Sequence, residues 1–387
     1  MDPEVPPEIT PEMLQQHPEL SIAIVLMFGM LVVYVLGGAG SWIYFWLRKQ
    51  AGQPLIQIQP WTPRAWGLLD VLLIVVAVII SQIAFSVVGM MATGIERAEL
   101  VGPDAEVPIA LHMWGGFGSV AAMIIGTIWI MARFQRPPAH VGFVSMGLAK
   151  QLFTGLLVGL AVIPLTYILM IAVSAGMKTE YDHPLINEMT KHGSIGVYLV
   201  GFVTAAIIAP LTEEFAFRVV LQGWMQSIPF KPWGYSLIGG FAPATSQFSA
   251  VTADDEARQS LSRIDTAATD PESIEVAQVV EGASSATVET AWRPTAVIED
   301  ARVIEPEHQS VQVIPPIWPS IVCGILFGLA HWGYGLSFIP LIVLGIVLGL
   351  VYRATHSIWP CILIHFMLNA SSMLMLGFTI LLKQSAG

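Results

Sequence analysis

The chain has 387 residues, 55% of them hydrophobic and 12% charged, with a formal net charge of −11. A soluble domain carries about 25% charged residues, so this composition excludes an ordinary water-soluble globule, and the missing basic excess argues against a nucleic-acid partner. The acidity is local: residues 245–316 hold 13 acids and 4 bases, a balance of −9, which leaves −2 for the remainder.

Residues 1–19 form an acidic, proline-rich tail without lysine or arginine. A secretory signal needs a positive n-region, so the first apolar segment is expected to remain as an anchor. Four apolar segments follow within 20–176, at roughly 20–47, 67–93, 108–132 and 152–176. Further segments lie at 194–226, 317–332, 337–353 and 357–382. About 20 apolar residues cross the hydrocarbon core, and long unbroken runs suit helices rather than the alternating strands of a barrel. The expected fold is therefore an all-α polytopic membrane protein with about eight transmembrane helices. Lysine and arginine concentrate in the first, third and seventh connections (Arg48, Lys49, Arg64; Arg133, Arg136, Lys150; Arg353). The positive-inside rule puts those connections in the cytoplasm and the N-terminus outside. The expected location is a membrane crossed several times, which is the cell membrane if the chain is bacterial.

Segment 245–316 breaks the pattern. It is rich in Ala, Ser, Thr, Asp and Glu, ends at Pro315-Pro316, and has little large apolar content. Such an insertion is expected to be disordered or loosely packed. Gly155/Gly159, Gly324/Gly328 and Gly345/Gly349 have the four-residue spacing that lets membrane helices approach closely. Cys323 and Cys361 both fall in apolar segments and are expected to be buried thiols rather than a disulfide or a metal pair.

The chemistry-bearing residues stand out because charge is costly at membrane depth. Glu213-Glu214-Phe215-Ala216-Phe217-Arg218 closes an apolar run that begins near Gly196. On a helix, residues four apart share a face, so Glu214 and Arg218 can form a structural ion pair, while Glu213 points about 100° away. Glu213 is thus the candidate general base, and Pro210 upstream removes one helical hydrogen bond and can open room for water. An interfacial charge cluster at a helix end would account for the same six residues. His331 follows Phe327 by four. His365 and Asn369 are also four apart and share a face. The remaining histidines, His17, His112, His140, His183, His192, His308 and His356, read as loop or interfacial residues, and Asp70 as an interfacial acid.

In order, these clusters spell Glu-Glu-x-x-Phe-Arg, Phe-Gly-x-x-His and Ser-Ile-Trp-Pro-x-Ile-x-x-His-x-x-x-Asn. The set resembles the CPBP family of intramembrane proteases, which includes the CAAX prenyl proteases. The resemblance runs from about 195 to 375, and it makes 194–226 and 317–382 the CPBP-like catalytic helices. Val219 stands where many members have glycine, and the acidic insertion lengthens the connection between the first two motifs. The resemblance implies an endopeptidase whose Glu213, with His331, activates the attacking water, and whose His365 and Asn369 stabilise the oxyanion. Its substrate would be a membrane protein or a lipidated, prenylated peptide in the lipid bilayer. Glu213, His331 and His365 could instead hold a metal. Zinc suits such donors, and the sequence leaves metal-bound and metal-free forms open. A non-proteolytic scaffold, regulator or immunity factor on the same fold is the alternative, and a transporter with a buried relay is a third reading.

Overall fold

The computed structural model describes residues 9–96, 100, 107–144, 147–177, 189–191, 194–240, 314–333 and 335–386. The acidic insertion lies outside them apart from residues 314–316, as do His183, His192 and His308.

All regular elements among the described residues are helical. The principal ones are α1 (Pro18–Gln50), α2 (Leu68–Thr93), α3 (Ile109–Phe134), α4 (Leu148–Met177), α5 (Ile195–Phe230), α6 (Trp318–Leu329), α7 (Phe338–Thr355) and α8 (Trp359–Ala386). Among the described residues seven helices, α7 being taken together with the turn that precedes it from Gly335, are long and apolar enough to cross a membrane. The chain is thus an all-α, multi-pass membrane protein. The exception is α6, which corrects the expected eighth span at 317–332. It has 12 residues, about 18 Å of helix at 1.5 Å per residue, against a hydrocarbon core of about 30 Å. The apolar run looked longer because Ala330–Gly333 continues its hydrophobicity while folding as a turn.

All three glycine pairs sit at helix contacts. A Cβ on Gly345 would lie 2.9 Å from the Gly324 Cα, and one on Gly349 would lie 2.9 Å from the Ser320 Cα. The α6 and α7 backbones therefore touch. On α4, a Cβ on Gly155 would meet the Pro360 carbonyl of α8 at 2.9 Å. Gly345→Val should push α6 off α7 and cost about 1–3 kcal/mol, as overpacking does. A fall in the melting temperature of the purified protein would show this.

Helix α8 is held from three sides by tyrosines. Tyr34 of α1 donates to the Met367 carbonyl (3.1 Å), Tyr198 of α5 donates to the Met373 carbonyl (2.9 Å), and Tyr167 of α4 meets the Ser371 and Ser372 hydroxyls at 2.9 and 2.8 Å. These bonds fix the helix that carries His365 and Asn369. The apolar core runs from Trp66, Ile130 and Val141 through Phe215 and Val219 to Leu348, Tyr352 and Ile364.

Asp70, read from the sequence as an interfacial acid, has a structural role at the start of α2. It is fully buried: it caps α2 by accepting from the Gly67 backbone N–H (3.0 Å), accepts from Trp129 Nε1 (3.0 Å), and lies 3.4 Å from Arg133 Nε. Cys323 and Cys361 are buried free thiols, as expected.

The first, third and seventh connections meet at one end of the bundle. Arg64 donates to the His140 carbonyl (2.6 Å), the Gln59 N–H to the Ala354 carbonyl (2.9 Å), and the Ile358 N–H to the Gly142 carbonyl (3.1 Å). Two histidines are trapped there. Burial, then the nearby Arg64 charge, pushes both His140 and His356 down to about 3 from an ordinary 6.5. Their folded values lie below the unfolded one, so the unfolded chain binds more protons between pH 6.5 and 3. Their stabilising effect is complete above pH 6.5 and is lost as pH falls toward 3. The melting temperature in detergent should therefore drop between pH 7 and pH 4, and less steeply in His356→Gln.

Candidate active site

Helix α5 is regular only in parts. Two π-helical turns, Val203–Ile208 and Phe215–Gln222, bracket a short α-helical stretch, Ala209–Glu214. Such turns are frequent at functional sites. The first ends with the Ala209 N–H bonded to the Thr204 carbonyl, five residues back. In that register residue 210 would donate to Ala205, but residue 210 is proline and has no N–H. The orphaned Ala205 carbonyl instead accepts from Asn369 Nδ2 on α8 at 2.8 Å. Pro210 and Asn369 thus form one device, which joins α5 to α8 beside the glutamates.

One turn further on, the two glutamates diverge as the helical wheel requires. Glu214 is fully buried and paired with fully buried Arg218, Oε2 to Nε at 2.9 Å. The guanidinium lies 5.3 Å from the Phe327 ring centre, and its two terminal nitrogens make no hydrogen bonds. The other carboxylate oxygen, Oε1, accepts from His365 Nδ1 at 3.0 Å. Glu214 therefore has two partners, and only Arg218 was legible in the spacing.

Glu213 faces a cavity of about 790 Å³ lined largely by α4, α5 and α8, with His331 and His365 in its wall. Its Oε2 is buried and makes no hydrogen bond. That oxygen lies 4.0 Å from His331 Nε2 and 3.9 Å from His365 Nε2. His331 sits in the turn after α6, its Nδ1 2.9 Å from the Phe327 carbonyl. A carbonyl only accepts, so Nδ1 carries the hydrogen and Nε2 faces Glu213. His365, 3% exposed, is oriented in the same sense by Glu214. Phe327 packs between them, its ring centre 5.2 Å from the His331 ring and 5.4 Å from the His365 ring.

The structure thus brings Glu213, His331, His365 and Asn369 to one cavity and places Glu214 and Arg218 behind it. His112, read from sequence as a loop residue, also lines this cavity. No motif marked it, because the approach of α3 to α5 is a long-range contact. Oxygen and imidazole donors suit zinc in kind. However, tetrahedral bonds of 2.0–2.2 Å hold ligand atoms about 3.4 Å apart, closer than the 3.9–4.0 Å found here. Among the described residues no group of three His, Cys, Asp or Glu is placed to hold a metal ion.

Residues 304–371 match the family described as "Type II CAAX prenyl endopeptidase Rce1-like". The matched span carries His331, His365 and Asn369 and stops short of α5, so the glutamates stand on motif and geometry. No curated protein and no solved structure gives a match. Among the described residues seven helices are long and apolar enough to cross a membrane, and within this multi-pass membrane protein residues 304–371 are similar to the type II CAAX prenyl endopeptidases.

Proposed function

We propose that the protein is an endopeptidase that hydrolyses a peptide bond of a membrane-associated, prenylated substrate with a water activated by Glu213. The observation that carries this reading is the convergence of the unbonded Glu213 Oε2 with two imidazole nitrogens inside an apolar bundle. Separations near 4 Å are too long for direct hydrogen bonds and short enough for one bridging water.

Such a water donates one hydrogen to Glu213 Oε2 and the other to His331 Nε2, and its lone pair attacks the scissile carbonyl carbon. The proton passes to Glu213. The carbonyl oxygen becomes an oxyanion, which needs donors fixed in advance. Asn369 spends one of its two amide hydrogens on Ala205 and keeps the other. His365 donates from Nε2 when both ring nitrogens carry hydrogen, with Glu214 as counter-charge behind it. Glu213 then returns its proton to the leaving nitrogen as the C–N bond breaks, giving a carboxylic acid and a free amine, and the acid's proton then passes to the amine to leave a carboxylate and an ammonium. The apolar walls, including Met170, Ile171, Leu341 and Leu368, suit a substrate with a lipid chain.

The test uses protein reconstituted in liposomes with quenched peptides ending in a CaaX sequence, with and without a prenyl group. Cleavage of the prenylated peptide with at least a tenfold preference is expected. Equal cleavage of both peptides would remove the lipid from the reading, and no cleavage of either would remove the peptidase. A chelator series on the same assay should leave the rate unchanged if the side chains act alone.

A further inference from the structure

A second cavity, of about 550 Å³, opens where the first, third and seventh connections meet. It shares no lining residue with the first. On α4 its lining ends at Thr154 and the other begins at Thr166, about 18 Å of helix away. The proposed proteolysis makes no use of it.

Its walls carry Arg64, Arg136 and Lys150, contributed by three separate segments, together with His140 and His356. Among the described residues lining it there is no aspartate or glutamate. Arg64 is 4% exposed; its terminal nitrogens are anchored on the His140 carbonyl (2.6 Å) and the Tyr352 hydroxyl (3.4 Å), while its Nε makes no hydrogen bond. His356 is 6% exposed, and neither of its ring nitrogens makes a hydrogen bond of ordinary geometry. Both histidines are neutral at pH 7, since burial and Arg64 push them down to about 3. A neutral imidazole still has one N–H to donate.

A nearly buried guanidinium with an unused donor, flanked by two more cations and by no acid among the described lining residues, favours an anion. Guanidinium and ammonium donors together match the several acceptor oxygens of a phosphate. We propose that this cavity binds a phosphate-bearing anion through Arg64, Arg136 and Lys150, with His356 facing it. A lipid headgroup and a free phosphate share this chemistry. The position at the end of the helices, next to Trp61 and Pro60, is open to either.

The melting temperature of the purified full-length protein reads the site. It is measured with inorganic phosphate against chloride at matched ionic strength, and with short-chain phosphatidylglycerol against phosphatidylcholine. Wild type should be stabilised by phosphate, by phosphatidylglycerol or by both, relative to the matched control. Arg136 and Lys150 are exposed, so Arg136→Gln/Lys150→Gln should fold normally, and its affinity for the effective probe should fall about tenfold or more. A response to phosphate identifies a soluble ligand, and a response to phosphatidylglycerol alone identifies a headgroup. The proposal is overturned if neither probe exceeds its control in wild type, or if the double variant responds as wild type does.

Discussion

Replacing Glu213 by glutamine is expected to lower kcat for peptide hydrolysis by about 10²–10⁴-fold, the usual contribution of a positioned general base, with little change in KM. Glutamine keeps the size of the side chain and its reach into the cavity but cannot accept a proton. Stability should hardly change, because Oε2 makes no hydrogen bond that the substitution would break. The combination of lost turnover with an unchanged melting temperature separates a catalytic role from a structural one. A variant that turned over within a factor of ten of wild type would sink the role of Glu213 as base.

The opposite profile is expected for Arg218. Arg218→Leu leaves Glu214 buried with its charge partly uncompensated, and losing one partner of a buried pair costs about 3–5 kcal/mol. The guanidinium also packs on Phe327, which in turn touches both histidine rings, so the disturbance reaches the site. Poor yield and a sharply lower melting temperature should result. Glu214→Leu/Arg218→Leu should recover part of that stability, because no lone charge remains buried. It should not recover activity, since His365 Nδ1 has lost its acceptor. Full activity in the double variant would show that Glu214 does not orient His365.

The difference between the two glutamates was readable because it depends on local geometry alone. Four-residue spacing put Glu214 with Arg218, and the structure pairs them at 2.9 Å. The glycine pairs were readable for the same reason, since close approach needs residues without Cβ at helical spacing. What the sequence did not disclose depends on partners far along the chain. Pro210 signalled a kink, but nothing local said that its missing N–H would be answered by Asn369, 164 residues from Ala205. Asp70 looked like an acid at a segment end until Trp129 and Arg133 of α3 closed over it. Helix α6 was overcounted because hydropathy does not distinguish Ala330–Gly333 as turn from the same residues as helix. His112 carried no signal, because only the packing of α3 against α5 brings it to the cavity.

The measurement closest to the central claim is hydrolysis in ¹⁸O-enriched water by the reconstituted wild-type protein, with a prenylated CaaX peptide as substrate and mass spectrometry as readout. Water activated at Glu213 predicts two fragments, with one ¹⁸O in the new carboxylate of the N-terminal product, formed about a hundredfold or more slowly by Glu213→Gln. Intact peptide after incubation with wild type, or equal labelled product from both proteins, would contradict it.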